Sequence, residues 1–347
     1  GGCRVVAMGG KKLQEAGAEV IFPIDRFAFM GFFEIIRHMP RVVSLVRKIR
    51  RLLASGDIDL FIPVDYPGMN LKLARHARRC GVPVLYYISP QVWAWGGWRT
   101  RKIAKCVDLM AVILPFEEDY YRDADIPVYY AGHPMLDTIP APEAPKDLPA
   151  AGSPVRILIL PGSRRQEVDR MLQRMLDAAT VIARRIPTSR FILGVAPMIS
   201  LDERDLPDDL DGRIEISNDA VGELAEADLV IAASGTVTLQ AAISGTPLLV
   251  VYKTSPLTFL LGKSLVKIPH IAMPNVLAGE RIVPELLQRE VNADRIAKEA
   301  LAILGDPEAY RAMSARLLSL RDMLHKRDGL KGLAERVTGM CGRQDRS

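Results

Sequence analysis

Apolar positions in this chain follow two alternating patterns. Short runs made almost wholly of apolar residues occur at Ile58–Val64, Val84–Ile88, Leu109–Leu114, Val155–Leu160, Leu229–Ala232 and Leu248–Tyr252. Such short runs predict strands buried on both faces. Arg4–Met8, Val20–Phe22, Val128–Tyr130, Phe191–Val195 and Ile214–Ser217 read as further short strands. Between the strands, apolar residues return at helical spacing, as at Val168, Met171, Leu172 and Met175. Strand–helix alternation along the whole chain predicts an α/β protein of parallel sheets with helices on both faces.

The alternation is interrupted once. Residues Pro140 to Pro154 hold five prolines and no apolar period, the composition of a linker. A chain of 347 residues is also long for one core. The expected organisation is two Rossmann-like, doubly wound units, residues 1–140 and 155–320, joined by a linker at 141–154. A C-terminal helix and frayed tail follow over 321–347. Two such units place a cleft between two sets of strand carboxyl ends, where ligands bind. The chain opens Gly-Gly-Cys without Met and enters a strand at once, so a first strand and helix are expected upstream.

One stretch fits neither pattern cleanly. Apolar residues and arginines crowd together from Phe27 to Arg51, and Pro40 is expected to break the stretch into two helices. Two readings stand: core helices with solvated arginines, or an interfacial surface that presents Phe32, Phe33 and Ile36 to a membrane. Charge sharpens the second. Residues 37–51 carry six Lys/Arg and no acid, and Tyr66 to Val107 carry eight and none. The net charge of +5 is therefore concentrated in the first half, which suggests phosphate-bearing partners: nucleic acid, nucleotide or anionic lipid. No RNA-binding motif or stacking-aromatic pattern supports nucleic acid.

Apolar content of 49% with 25% charged residues describes a folded globular chain. The four cysteines are scattered with no CxxC pair, which fits a reducing compartment and no structural zinc. The five histidines show no HExxH-type spacing, so no metal and no cofactor is expected. No run approaches the ~20 apolar residues of a membrane-spanning helix.

Candidate chemistry lies at strand ends. Val155–Leu160 stops at Pro161-Gly162-Ser163-Arg164, and a helix carrying Glu167 follows. A strand, a Gly-Ser turn and a helix N-terminus form a ready anion site, to which Arg164 adds a bidentate fork. An ordinary βα turn with a surface arginine explains the same residues equally well. A second such turn, Ser234-Gly235-Thr236, follows Leu229–Ala233. Two helix N-termini suit a diphosphate better than one. Neither turn is a P-loop or a GxGxxG turn, so an ATPase and a nicotinamide enzyme both lose support. In the first half, Asp65 ends the Ile58–Val64 run. It is placed either to take a proton from a hydroxyl or to cap the next helix. Asn70, Ser89 and His133 are further candidate cleft residues.

The segments SPQVWAW (89–95), LPFE (114–117), GHP (132–134), LPGSRRQEV (160–168), ASGTVTLQ (233–240) and PNVLAGERIVPELLQ (274–288) occur in this order. Together they resemble the lipid-A-disaccharide synthase family of Gram-negative bacteria. The likeness runs from about Arg4 to the C-terminal helices; the VWAW and LPGSR segments are its specific parts. It implies a GT-B fold and an inverting glycosyltransferase. The family condenses UDP-2,3-diacylglucosamine with 2,3-diacylglucosamine 1-phosphate into a β-1,6 disaccharide 1-phosphate and UDP. By that likeness Asp65 is the base, while Gly162, Ser163, Arg164, Glu167, Ser234, Gly235, Thr236, Gln240 and Asn275 hold the donor. The partners are then the UDP-sugar, the acylated glucosamine 1-phosphate and the anionic inner face of the inner membrane, with the enzyme cytoplasmic and peripheral. The sequence departs from the family pattern at three places. The family's opening Gly-Glu-x-Ser-Gly-Asp turn has no counterpart, Gln240 stands for a usual Glu, and Gly68 stands where an acid is often found. UDP-N-acetylglucosamine 2-epimerases share the architecture and are the competing reading, since they act on soluble sugars and need no basic apolar face. A transferase with a lipid-linked cell-wall acceptor is a third reading, against which the VWAW segment argues.

Overall fold

The computed structural model describes residues 3–23, 32–93, 100–196, 199, 201, 206–210, 212–256, 259–260 and 269–341, with the backbone alone over 32–41. Parallel sheets run through the whole chain, as the alternation predicts. The second half is built on six strands: β6 (Val155–Leu160), β7 (Ser189–Gly194), β8 (Ile214–Ser217), β9 (Leu229–Ala233), β10 (Leu248–Tyr252) and β11 (Glu285–Leu287). Their order is β11-β10-β9-β6-β7-β8. The last four residues of β6 and all five of β9 are buried, as expected for central strands covered on both faces. Helix α6 (Arg165–Arg185) packs on one face and α8 (Thr236–Ile243) on the other. The edge strand β11 was not foreseen from the sequence; its three residues are too few to form a periodic signal.

Among the described residues the first half holds two parallel sheets. Strands β1 (Val6–Gly9) and β2 (Glu19–Pro23) pair with each other. Strands β3 (Leu85–Tyr87), β4 (Leu109–Val112) and β5 (Val128–Tyr130) form the other sheet. The expected strand at Ile58–Val64 is reduced to bridges from Phe61 to Val84 and from Val64 to Tyr87. Its backbone still alternates bonds with β3: Phe61 N to Pro83 O, Leu85 N to Phe61 O, Tyr87 N to Pro63 O and Asp65 N to Tyr87 O. It forms the edge of that sheet, and Ile62 and Val64 on it are exposed.

Helix α2 (Phe32–Leu53) corrects the expectation of a break at Pro40: it runs through the proline as one helix. A proline forgoes one helical hydrogen bond, at about 3 kcal/mol in a helix interior. The helix recovers this through its packed second half, where Leu45 and Leu53 are buried and Ile49 joins the first unit's core. The placement of Phe27–Gly31, of Trp95 and of 261–268, and the side chains of Phe32, Phe33 and Ile36, lie outside the described residues. So does the tail from Gly342 to Ser347.

The units are tied together in two places. Trp93 and Leu114 from the first are buried in one cluster with Leu160 and Leu239 from the second. Leu160 ends β6, and Leu114 lies two residues past β4, so the carboxyl ends of the two sheets meet around this contact. The chain then crosses back. The penultimate helix spans Pro307–Leu324, so it continues through position 320, and a last helix, Gly329–Cys341, sets Leu333, Val337 and Met340 against Leu85, Leu109 and Ala111. Tyr129 and Tyr130 donate their hydroxyls to Gly329 O and Met323 O at 3.0 and 3.1 Å.

Candidate active site

The strand order creates the site on the second unit. From β6 the chain moves outward through β7 and β8, then returns to β9 on the other side of β6. The switch point therefore lies between β6 and β9, and ligands bind at the carboxyl ends there. Both Gly turns occupy it. The turn after β6 and the turn after β9 are far apart in sequence, at Gly162–Ser163 and Ser234–Gly235, yet leave adjacent strands.

The first turn is internally bonded. The Glu167 carboxylate accepts from Ser163 N at 3.2 Å and Arg164 N at 3.3 Å, and Arg164 Nη1 donates to it at 3.0 Å. Gly162 has φ 123°, and a Cβ there would meet Glu167 Cβ and Oε2 at 2.8 Å. Only glycine leaves room for that carboxylate. The Arg164 side chain is otherwise open, 81% exposed. In the second turn, Ser234 donates Oγ to Ile271 O at 2.9 Å, and Gly235 and Thr236 are exposed at the start of α8. Gln240 lies half-buried on the next turn of that helix.

Asn275 is fully buried and does not face this surface. Its amide donates to Val283 O and Glu285 Oε1, and its oxygen accepts from Ile282 N and Val283 N. Every position of that amide is used. Glu285 in turn accepts from Ile271 N and Ala272 N, both at 3.1 Å. Since Ile271 O takes the Ser234 hydroxyl, Asn275 and Glu285 position the second turn from behind.

Three residues to which the sequence assigned no role share this edge. Lys253 and Thr254 follow β10, and Gln288 follows β11. Lys253 Nζ donates to Gln288 O, and Thr254 N donates to Gln288 Oε1. Gln288 has φ 52°, and its Nε2 is buried without a partner among the described residues.

In the first unit, Asp65 and Tyr66 both have φ 44°, a left-handed conformation that non-glycine residues seldom adopt. The Asp65 carbonyl is braced by Asn70 Nδ2 and the Tyr86 hydroxyl, each at 2.7 Å, and Asn70 also reaches Val64 O. The N-cap of α3 (Pro67–Arg79) is Tyr66, and no side chain caps it. Asp65 is thus an exposed carboxylate on a strained, braced turn and not the helix cap. Ser89 is buried, bonded to Pro90 O and to the Tyr121 hydroxyl. His133 is buried too. Its Nδ1 accepts from Met135 N, and burial lowers its pKa to about 4, so it is a neutral structural imidazole.

Glu117, the acid of the LPFE segment, is 2% exposed. It accepts from Trp93 Nε1 and from the backbone of Ile113 and Leu114, and burial pushes its pKa up to about 7. Among the described residues no cluster of three or more His, Cys, Asp or Glu could hold a metal.

Two parallel-sheet units whose carboxyl ends meet, with paired glycine turns at the switch point of the second, define the GT-B class. Solved structures agree on the fold: the kitacinnamycin glycotransferase (TM-score 0.61, 15% identity, 95% of this chain and 89% of that one). UDP-GlcNAc 2-epimerase of Neisseria meningitidis bound to UDP-GlcNAc aligns at TM-score 0.59 with 10% identity, covering 94% and 87%. Sequence comparison then places the chain in one family, the lipid-A-disaccharide synthases: the profile described as lipid-A-disaccharide synthetase matches residues 2–328. The lipid-A-disaccharide synthase of Trichlorobacter lovleyi is 40% identical over 341 residues, 96% of this chain and 88% of that protein. That of Syntrophus aciditrophicus is 40% identical over 349 residues, 98% and 90%. The chain is therefore a glycosyltransferase of this family, and the epimerases are relatives in fold alone.

Proposed function

We propose that the chain joins UDP-2,3-diacylglucosamine to 2,3-diacylglucosamine 1-phosphate, releasing UDP and leaving a β-1,6 disaccharide 1-phosphate. The observation that carries the substrate class is family membership over residues 2–328. Site geometry supports the division of roles. Asp65 presents an open carboxylate on a turn that Asn70 and Tyr86 hold rigid. Asp65 takes the proton of the acceptor 6-hydroxyl as its oxygen attacks the anomeric carbon from the face opposite the leaving group. The bond from that carbon to the UDP oxygen breaks, and the electron pair leaves on the diphosphate.

Arg164 and the turns at Gly162–Ser163 and Ser234–Thr236 receive that charge, with helix N-termini behind both turns. Glu167 occupies the amides of the first turn, so it swings aside or is bridged by Arg164 when the diphosphate arrives. Gln240 hydrogen-bonds the ribose, and Asn275 acts through Glu285 and Ser234. The protein works at the inner face of the inner membrane, where acylated sugars reside, with Phe32, Phe33 and Ile36 toward the bilayer. No helix among the described residues is long and apolar enough to cross a membrane. The test is incubation with UDP-diacylglucosamine and the monosaccharide 1-phosphate, watching for disaccharide and UDP. UDP release without disaccharide, or 2-epimerisation of UDP-N-acetylglucosamine, would overturn the reading.

A further inference from the structure

Five cations converge on one hollow far from Asp65. Arg75, Arg78 and Arg79 from the end of α3 and Lys102 and Lys105, from α4 (Thr100–Ala104) and the residue after it, line an open depression of about 540 Å³. All five are exposed, and no acidic residue is among those lining the hollow. Asp108 ion-pairs with Arg78 and takes Val84 N with its other oxygen.

Part of this clustering has a local cause. Cations in the last turn of α3 complement its dipole, which accounts for Arg78 and Arg79. Lys102 stands likewise in the last turn of α4, but neither helix end by itself accounts for the two ends being brought, with Lys105, to the same hollow. Like charges held together repel, and an anion between them removes that cost. Planar guanidinium forks beside ammonium groups are suited to phosphate-ester oxygens.

Two observations decide which phosphate ester. From Pro67 to Arg78 the helix advances eleven residues, about 16 Å at 1.5 Å per residue. An acceptor whose 6-oxygen meets Asp65 cannot place its 1-phosphate in the hollow, because one hexose does not span that distance. The cationic field also extends beyond the hollow. His76 Nε2 meets Arg50 O at 3.0 Å, so the last turns of α2 and α3 lie side by side. Exposed Arg47, Lys48, Arg50 and Arg51 thereby continue the field onto α2. A field spread over three chain segments matches a charged surface, not one small anion.

We infer that the α3–α4 hollow is a headgroup site for anionic phospholipid, a membrane contact additional to that of the Phe32–Ile36 end of α2. It rests on the reading above that the substrates are membrane lipids. The test uses the full chain carrying Arg75→Gln, Arg79→Gln, Lys102→Gln and Lys105→Gln, leaving in place Arg78, which holds Asp108. Binding to vesicles of phosphatidylcholine with one-third phosphatidylglycerol should fall roughly 100-fold or more, since each basic residue near such a surface contributes about fivefold. Binding to pure phosphatidylcholine should not change, nor should turnover on detergent-dispersed substrates. Unchanged affinity for the anionic vesicles overturns the inference. So does pyrophosphate that binds the parent but not the variant while vesicle binding stays intact, which assigns the hollow to a soluble anion. A fall in dispersed-substrate turnover also overturns it, by placing the hollow in the reaction. Should the fourfold variant unfold, Arg79→Gln with Lys105→Gln is measured instead, and the expected loss is roughly 25-fold. Failure of the proposed reaction shows separately, as no disaccharide from the parent chain in detergent.

Discussion

Replacing Glu117 with Gln should uncover a pH dependence that the parent chain conceals. Burial raises the Glu117 pKa from 4.5 to about 7, against the pull of three N–H donors. A carboxyl with a raised folded pKa favours the folded state most below its unfolded value. That contribution is lost as pH rises through the folded value. The interval from 4.5 to about 7 is worth about 3 kcal/mol, at roughly 1.4 kcal/mol per tenfold change in proton affinity. His133 works in the opposite sense. Its pKa falls from 6.5 to about 4 on burial, so its contribution is complete above 6.5 and lost as pH drops toward 4, again by about 3 kcal/mol.

The two windows overlap, and in the parent their slopes largely cancel. Glu117→Gln removes one of them. Gln also turns its NH₂ toward the Trp93 N–H, which adds a pH-independent loss of about 1 kcal/mol. The difference in stability between parent and variant should therefore move by about 3 kcal/mol in the variant's favour between pH 4.5 and 7.5. The variant alone should weaken on acidification. All three tryptophans lie within 93–98, so urea unfolding followed by intrinsic fluorescence reports on this region. Parent and variant curves that stay a constant distance apart across this range would refute the burial argument, because Glu117 would then carry the same charge folded and unfolded.

Asp65→Asn should retain the fold and UDP binding while turnover falls by ~10²–10⁴, as for loss of a general base; near-normal kcat removes Asp65 from the chemistry. Arg164→Ala should weaken UDP binding in calorimetric titration, and Arg164→Lys should restore it only in part, because an ammonium cannot form the fork. An unchanged preference for UDP over UMP would exclude a β-phosphate contact. Asn275→Ala strands buried partners on Ile282, Val283 and Glu285, so it should cost about 2–4 kcal/mol in chemical denaturation and loosen UDP binding with it. Equal stability would show that water satisfies the site. Phe32, Phe33 and Ile36 changed together to Ser should lower vesicle binding even at high salt while helix content holds; an unfolded product would place them in the core.

Much of the second unit was legible in the linear pattern. The runs Val155–Leu160 and Leu248–Tyr252 are strands with those bounds, because a strand covered on both faces needs an almost wholly apolar run, while the edge strand Ile214–Ser217 shows only alternation, with Ile214 and Ile216 toward the core. Both glycine turns were legible for the same local reason, since strand, turn and helix follow within a dozen residues. Pro40 was misleading. Local steric rules predict a break there, whereas packing of α2 further along outweighs one lost hydrogen bond.

What only the tertiary structure decided is which distant residues become neighbours and which charges lose water. Strand order places β9 beside β6, and so brings the Ser234 turn next to the Ser163 turn. No residue near either turn encodes that adjacency. From its neighbours in sequence Asp65 read more readily as a helix cap than as a base, until the left-handed pair at 65–66 moved the cap position to Tyr66. Asn275 looked like a donor ligand until its amide proved to be used up by Val283, Glu285 and Ile282. Glu117 received no role of its own because the first of three acids opening a helix is ordinary in sequence. Its perturbed proton arises from burial behind Trp93, where the two units meet. Backbone preference is a property of a few adjacent residues and can be read along the chain. Desolvation and strand adjacency are properties of the packed whole, and they appear only once it has closed.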